Sequence, residues 1–294
     1  MTYYYYLIAG LPDLKIEDNK LTFSISRFKE DVRPQLSRTD RRLFDKFYNK
    51  FDNQNLLNYL KDKETAKFDE RGSITKDELE ECMRPVMIRE DEYRPNDKFP
   101  LPYFKTFMAE YNEALAAETV VMDSAKWENR LAGLYYEWAM KCGRKLIADW
   151  FEFNLNINNI MAAYNCRKYK MDIEVLGNNP VAEALKTSKQ RDFGLTEIIE
   201  DFDLIQRIAE ETDLYEREKK LDLLKWQWLD EHTFFKYFSV EVVFAYQIKL
   251  EIIERWISLD PVEGEKLFRD MINNLKDSVM NSPESINLQK NELK

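Results

Sequence analysis

The chain contains a single histidine, His232, which restricts the chemistry that its side chains can perform. Metal sites built on two imidazoles are excluded, and Leu229 stands where the Glu of a Glu-x-x-His di-iron pair would be needed. No GxSxG motif accompanies the histidine, and nothing in the sequence connects it to a nucleophilic Ser or Cys. We therefore interpret His232 as a structural residue beside the apolar Phe234 and Phe235.

Devices that bind nucleotides or calcium are also missing from the sequence. The seven glycines are dispersed and form neither a Walker loop nor a GxGxxG turn. One segment imitates the end of an EF-hand loop, with Gly72, Ile74 and Glu78 in register. Two ligand positions of that loop are Lys67 and Arg71, whose positive charges would repel Ca²⁺. The sequence therefore predicts no metal site and no cofactor.

Carboxylates remain as the only abundant reactive groups. Acidic runs occur at residues 90–92 and 200–203, where paired carboxylates could bind Mg²⁺ or transfer protons. Solvated helix faces explain such runs better in a chain with 54 acidic residues. Glu152 and Glu251 differ because each lies among apolar neighbours, where a carboxylate needs a partner or an interface. We predict ion pairs at the border of the core and no catalytic residue; a helical enzyme that uses Glu152 and Glu200 is the alternative.

Charge and cysteine content restrict the partners and the compartment. The 54 acidic residues outnumber 44 basic ones, and a net charge of −10 disfavours nucleic-acid binding. The widely spaced Cys82, Cys142 and Cys166 form no CxxC pair and are typical of reduced thiols in the cytosol. The opening residues lack the basic region of a signal peptide, and no stretch reaches the roughly 18 uncharged apolar residues of a membrane span. We expect a cytoplasmic protein.

The scarcity of helix breakers predicts that long helices position these groups. Only 7 Gly and 9 Pro occur in 294 residues. Thr75 and Glu78 form a capping box that opens a helix, and the apolar residues of 195–209 recur at i, i+3, i+4 and i+7. The Tyr run at residues 3–6, or the partly alternating residues 21–28, predicts a short N-terminal strand, with helix as the second choice. The predicted fold class is therefore all-α, built from multi-helix bundles.

Proline spacing suggests how the chain is divided. Pro95, Pro100 and Pro102 mark residues 94–102 as a connection. We predict an N-terminal helical part at residues 1–94 and a long-helix part at 103–282, which together form one continuous globular unit. A helix is expected to begin at Asp260-Pro261, and the polar residues 283–294 are expected to fray.

Three segments about a hundred residues apart have similar sequence patterns, and we call them the echo segments. Each begins with an aromatic residue, places Asp, Asn or Glu within a few residues, and continues as an apolar helix. They are Tyr48–Leu60, Trp150–Tyr164 and Tyr246–Leu259. The residue-by-residue match is weak, so chance similarity between amphipathic helices is the simpler explanation from the pattern alone.

The same three segments resemble helices of the C (or d) subunit of V-type ATPases. Residues 151–154, Phe-Glu-Phe-Asn, are similar to its Phe-Glu-x-Asp motif, with Asn154 in place of the usual Asp. Residues 52–60 resemble its Asp-x-x-Asn-Leu helix, and residues 246–257 its C-terminal helix, although Arg255 is displaced from the expected Arg-Asn pair. The opening residues also resemble an uncharacterised bacterial family that accompanies the subunits of V-type ATPases.

The resemblance implies a fold of three related helical repeats in a funnel and a non-catalytic role in the central stalk. The partners implied are the central-shaft subunits and the membrane rotor ring, so membrane contact would occur only through the ring, at the inner face of the plasma membrane. A helical adaptor or an assembly factor for the same ATPase is the alternative. The residues that it marks as interface or structural polar groups are Asp52, Asn55, Glu152, Asn154, Glu251 and Arg255.

Overall fold

Helices account for most of the chain that the computed structural model describes, which is residues 3–259 apart from 19, 85, 90, 91, 95, 97 and 117–123. The described helices are α1 (Tyr5–Ala9), α2 (Ile25–Val32), α3 (Arg38–Lys61), α4 (Lys76–Met83), α5 (Pro102–Ala116), α6 (Ser124–Met140), α7 (Lys145–Tyr169), α8 (Pro180–Thr187), α9 (Phe202–Ala209), α10 (Leu214–Thr233) and α11 (Val240–Ser258). Short 3₁₀ turns occur at Arg33–Gln35 and Leu195–Glu197. The prediction of an all-α fold is confirmed.

Side-chain caps explain where several of these helices begin. The predicted capping box is present, since the Thr75 hydroxyl accepts from the Glu78 backbone N–H and the Glu78 carboxylate accepts from the Thr75 N–H. Asn179 accepts from the Ala182 N–H at 2.9 Å, and Pro180 occupies the first position of α8 as its sequence predicts. The described residues between 102 and 169 include the long helices α5, α6 and α7, in agreement with the lack of breakers there.

The predicted N-terminal strand is wrong. Tyr5–Ala9 forms the short helix α1, and residues 21–28 lead into α2 because Ser24 caps it by accepting from the Arg27 N–H at 3.2 Å. The strands that the structure does contain form an antiparallel hairpin, β1 (Val86–Arg89) and β2 (Glu92–Arg94), with Val86 paired to Arg94. This hairpin was not predicted from the sequence, and it lies directly before the proline-rich connection.

The helical spacing of the apolar residues at 195–209 predicts one continuous helix, and the structure differs from that prediction. Gly194 and Asp201 both have positive φ, at 71° and 54°, so the chain turns sharply at each position. The result is a 3₁₀ turn followed by the separate helix α9. A similar break at residues 234–239 divides α10 from α11.

Two clusters of buried side chains hold the helices together. The larger runs from Tyr4 to Ile253 and includes side chains of α2, α3, α5, α6, α10, α11 and the first half of α7. The parts predicted on either side of residues 94–102 therefore share one core. The smaller cluster joins the second half of α7 to α8, α9 and Leu221 of α10.

Among the helices described, none is both long and apolar enough to cross a membrane. The helix predicted at Asp260-Pro261 and the tail at residues 283–294 lie outside the described residues, as do Glu90 and Asp91 of the first acidic run.

Candidate functional site

A cavity of about 480 Å³ opens between the long helices of the larger core. Its walls come from α3, α6, α7, α10 and α11, so rigid helices position almost all of its side chains. Tyr135, Phe151 and Ile252 contribute buried apolar surface. The charged side chains of the wall are Lys50, Glu128, Asp222, Lys225, Glu251 and Arg255. An open cavity lined by both charged and apolar side chains suits recognition of another molecule.

Lys50 and Glu251, which both line the cavity, form an ion pair between α3 and α11. The exposed fraction is 36% for the Lys50 side chain and 28% for that of Glu251, so both groups are partly desolvated. Burial lowers the pKa of Lys50, and the attraction of the Glu251 carboxylate opposes that shift. The Lys50 Nζ also lies 4.2 Å from the centre of the Phe47 ring. The pair connects the first and third echo segments through charge.

Asp222 is the most deeply buried acid in this wall, with 4% of its surface exposed. Its Oδ2 accepts hydrogen bonds from the Arg255 guanidinium and from the Trp256 Nε1, the latter at 2.7 Å. Arg255 also reaches Glu218 at 3.4 Å. A buried carboxylate needs such donors, and these bonds fix α10 against α11.

Lys225 follows Asp222 by one helical turn and lines the same cavity. The part of the chain that the structure describes offers its ammonium neither an ion pair nor a hydrogen bond. Burial lowers its pKa, and the carboxylate of Asp222, already bonded to Arg255 and Trp256, partly opposes the shift. Among the described residues, this half-buried cation therefore stands in the wall without a partner of its own.

Amide side chains of the second echo segment complete the wall. The Nδ2 of Asn154 donates to the Tyr136 hydroxyl at 2.8 Å, and that of Asn158 donates to the same oxygen at 3.2 Å. Burial raises the pKa of Tyr136, so the phenol keeps its proton at neutral pH. Asn154 thus lies in the cavity, as do Glu251 and Arg255, which the sequence also marks.

Asp52 and Asn55 lie elsewhere and hold a loop onto α3. The Oδ1 of Asp52 accepts from the backbone N–H groups of Ser73 and Ile74 at 2.7 and 2.9 Å. Asn55 exchanges two hydrogen bonds with the backbone of Asp69, at 2.7 and 3.0 Å. Burial raises the pKa of Asp52, and these hydrogen bonds oppose the shift. The segment that imitates an EF-hand is thus docked by polar bonds to the helix.

Glu152 is exposed, and no described residue forms an ion pair with it, so the ion pair expected at the border of the core is not found there. The helical period directs it outward while the adjacent Phe151 is buried in the core. Glu200 is exposed as well. Among the described residues, no three His, Cys, Asp or Glu side chains converge as a metal site would require. The three cysteines are free thiols.

His232 packs on the surface of α10. Its ring stacks on Trp228 with centroids 3.8 Å apart, and its Nδ1 lies 2.8 Å from the Trp228 carbonyl oxygen. These contacts lie within one helix and agree with a structural role.

Four charged residues of the cavity were not predicted from the sequence, namely Lys50, Glu128, Asp222 and Lys225. The available signal was a charge inside an apolar stripe, because Lys50 lies between Phe47 and Phe51 on the buried side of α3. Asp222 and Lys225 are spaced i, i+3 on one helix, but their environment depends on α11, which no local pattern reveals.

A family model matches residues 1–279, nearly the whole chain. The chain belongs to the family described as protein of unknown function DUF2764. Neither a curated protein nor a solved structure matches it. The function of this DUF2764 protein must therefore be argued from the cavity and its residues.

Proposed function

We propose that this chain is a non-catalytic component of the central stalk of a V-type ATPase, with a role like that of the C (or d) subunit. In this proposal it joins the central shaft to the membrane rotor ring and transmits torque during ion transport. Its partners are the shaft subunits and the ring, and it contacts the membrane only through the ring, at the cytoplasmic face.

The observation that carries the proposal is the convergence of the three echo segments on one cavity. Tyr48–Leu60 belongs to α3 and supplies Asn53, Trp150–Tyr164 belongs to α7, and residues 246–259 comprise most of α11. A socket built from three related repeats requires this arrangement.

The packing also suits a part that transmits force. The cavity wall stands on the larger buried cluster, and ion pairs or hydrogen bonds join α3 to α11, α10 to α11 and α6 to α7. Side chains held by packed helices and by one another keep their geometry under load better than side chains on loops.

Copurification tests the proposal. The chain is coexpressed with the shaft subunits of its own organism's V-type ATPase and passed over a sizing column, and the intact ATPase is purified from native cells. We expect a stable complex with the shaft and retention in the purified enzyme. A chain that binds during assembly but is absent from the finished ATPase would instead be an assembly factor. No complex with shaft, ring or ATPase would overturn the proposal.

A further inference from the structure

Exposed aromatic residues gather at the end of the molecule where the N-terminal segment meets the turn between α10 and α11. The backbone N–H of Tyr4 donates to the Phe238 carbonyl at 2.7 Å, and the centres of the Tyr5 and Phe238 rings are 4.7 Å apart, so the two segments are joined there. Around this junction lie aromatic residues that each have more than half of their surface open to water. We call this surface the aromatic end, and its exposed residues are Tyr3, Tyr5, Tyr6, Phe234, Phe235 and Tyr237.

The exposed area of the aromatic end is that of a protein interface. An aromatic side chain accounts for about 150–250 Å², so the exposed fractions of these residues leave roughly 600–1,000 Å² open to water. The largest apolar patch on a typical monomer covers about 300–600 Å², whereas one side of a standard interface covers about 800 Å². Single exposed apolar residues are normal on any protein, but a surface of this size indicates a partner.

A buried polar network holds the base of the aromatic end in place. The Tyr4 hydroxyl donates to Asp40 Oδ2 at 2.6 Å, and the Arg144 guanidinium lies 3.8 Å from the Asp40 carboxylate and 3.9 Å from that of Glu241. These contacts fix the N-terminal segment against the first turns of α3 and α11. A surface that is already ordered loses less conformational freedom when it binds than a flexible segment does.

Two exposed charges of opposite sign flank the rings, and no described residue forms an ion pair with either of them. Glu231 precedes Phe234 and Phe235 by three and four residues, so it lies on the same side of the end of α10. Lys236 follows these two rings directly. A two-fold interface pairs the same two positions twice, so two copies of the chain could place each Glu231 against the other copy's Lys236. The aromatic end is therefore complementary to itself in charge.

We propose that the aromatic end is a two-fold interface between two copies of this chain, in which the rings pack together and Glu231 of each copy pairs with Lys236 of the other. The inference goes beyond the proposed function and does not rest on it. An anionic membrane surface fits less well, because its headgroups would repel Glu231 and a chain with a net charge of −10. The exposed cations beside the buried network, Arg38, Lys141 and Lys145, repel one another between copies, but physiological salt screens this repulsion beyond about 8 Å.

Sedimentation of the purified full chain over a range of concentrations tests the interface. We expect a reversible dimer with a dissociation constant in the micromolar range or tighter. Phe235→Ser and Tyr6→Ser should each weaken the dimer by roughly thirtyfold or more, because each substitution removes an aromatic anchor from both copies. Leu214→Ser is the matched control, since Leu214 is exposed at the opposite end of α10, and this variant should dimerise like the wild type.

An exchange of charges tests whether the partner is a second copy. Lys236→Glu and Glu231→Lys should each be largely monomeric, because like charges would then face one another twice. When the two variants are mixed in equal amounts, the dimer should form again, since each supplies the charge that the other needs. Circular dichroism checks that every variant keeps the helix content of the wild type.

The outcomes decide between a second copy and other partners. A wild-type chain that stays monomeric would overturn the proposal, as would a dimer that survives the aromatic or the charge substitutions, or a mixture of charge variants that stays monomeric. If the monomer instead binds phosphatidylserine vesicles and Phe235→Ser does not, the aromatic end is a membrane site and the proposal is wrong. A dimer that is lost in the single variants and recovered in the mixture supports the two-fold interface.

Discussion

Lys46 is a buried lysine for which the described residues provide no carboxylate partner. It is 6% exposed, its Nζ donates to the Trp138 carbonyl at 3.2 Å, and it lies over the Trp138 ring. Burial lowers its pKa to about 8, and the thiolate of neighbouring Cys142 would oppose the shift. The folded chain therefore holds its ammonium at a cost in free energy.

This cost predicts a pH-dependent difference between wild type and Lys46→Met. The folded pKa lies below the unfolded value, so the folded state binds fewer protons between about pH 8 and 10.5. The wild type's free energy of unfolding should rise across that window relative to the variant's. Because a pKa unit is worth about 1.4 kcal/mol and solvent screens part of it, we expect a change of roughly 1–3 kcal/mol.

Urea unfolding at pH 7 and pH 10 measures this difference. Lys46→Met should be at least as stable as the wild type at pH 7, and its advantage should shrink at pH 10. Lys61→Met, which changes an exposed lysine on the same helix, is the control and should follow the wild type at both values. A constant difference between wild type and Lys46→Met would contradict the buried-charge interpretation.

Polar residues with short-range partners were predictable from the sequence, and those with distant partners were not. Thr75 and Asn179 act within three residues of themselves, so their caps were predictable. Asp52 and Glu152 look alike in one respect, because each is an acid that directly follows a buried phenylalanine in a long helix. Asp52 is buried because a loop 21 residues later presents its backbone N–H groups, whereas Glu152 meets no such loop and faces water. Whether a polar residue is buried is thus decided by segments that are distant from it in the sequence.

At the scale of elements, the Lys50–Glu251 pair connects α3 and α11 beside the cavity. Removing one partner leaves the other partly desolvated and unpaired, so each single variant should lose stability. We expect Lys50→Met and Glu251→Gln to cost about 1–2 kcal/mol each, and the double variant to cost about 1 kcal/mol less than their sum.

A double-mutant cycle by urea unfolding measures this coupling. Arg27 and Asp31 provide the comparison, since this i, i+4 pair on α2 is 62% and 51% exposed. Its coupling should be only about 0.3–0.5 kcal/mol and should disappear at high salt. If the costs of the Lys50 and Glu251 variants simply add, the pair does not hold the two helices together.

The local sequence pattern explains why the long helices were predictable and why the break before α9 was not. Long stripes and rare breakers identify α3, α7 and α11 without ambiguity. The turn at Asp201 interrupts a stripe whose apolar spacing continues through it. The spacing survives because both sides bury residues in the smaller cluster, Leu195 before the turn and Ile205 after it. Periodicity reports which side chains are buried, and it does not report whether one helix carries them.

For the whole molecule, the two buried clusters differ in how they are supported. The larger joins helices from both ends of the described chain, so its opening requires most of the fold to separate. The smaller consists of local packing of α8, α9 and the intervening turn on α7 and α10. Regions with few long-range apolar contacts open at lower free energy than the global transition. The helices around the cavity should then stay folded while the smaller cluster opens.

Hydrogen exchange with Leu185→Ala tests this hierarchy, because Leu185 is fully buried in the smaller cluster. The substitution should cost about 3 kcal/mol, and amides of α8 and α9 should then exchange roughly a hundredfold faster. Amides of α3 and α11 should accelerate by a similar factor, because the opening that exposes them also separates the smaller cluster. Leu56→Ala empties an equally buried site in α3 and should accelerate exchange in α3 and α11 but not in α8 and α9, because Leu56 stays packed when the smaller cluster opens alone. Acceleration of α8 together with α3 in Leu56→Ala would mean that the chain opens as a single unit, and that the smaller cluster does not open on its own.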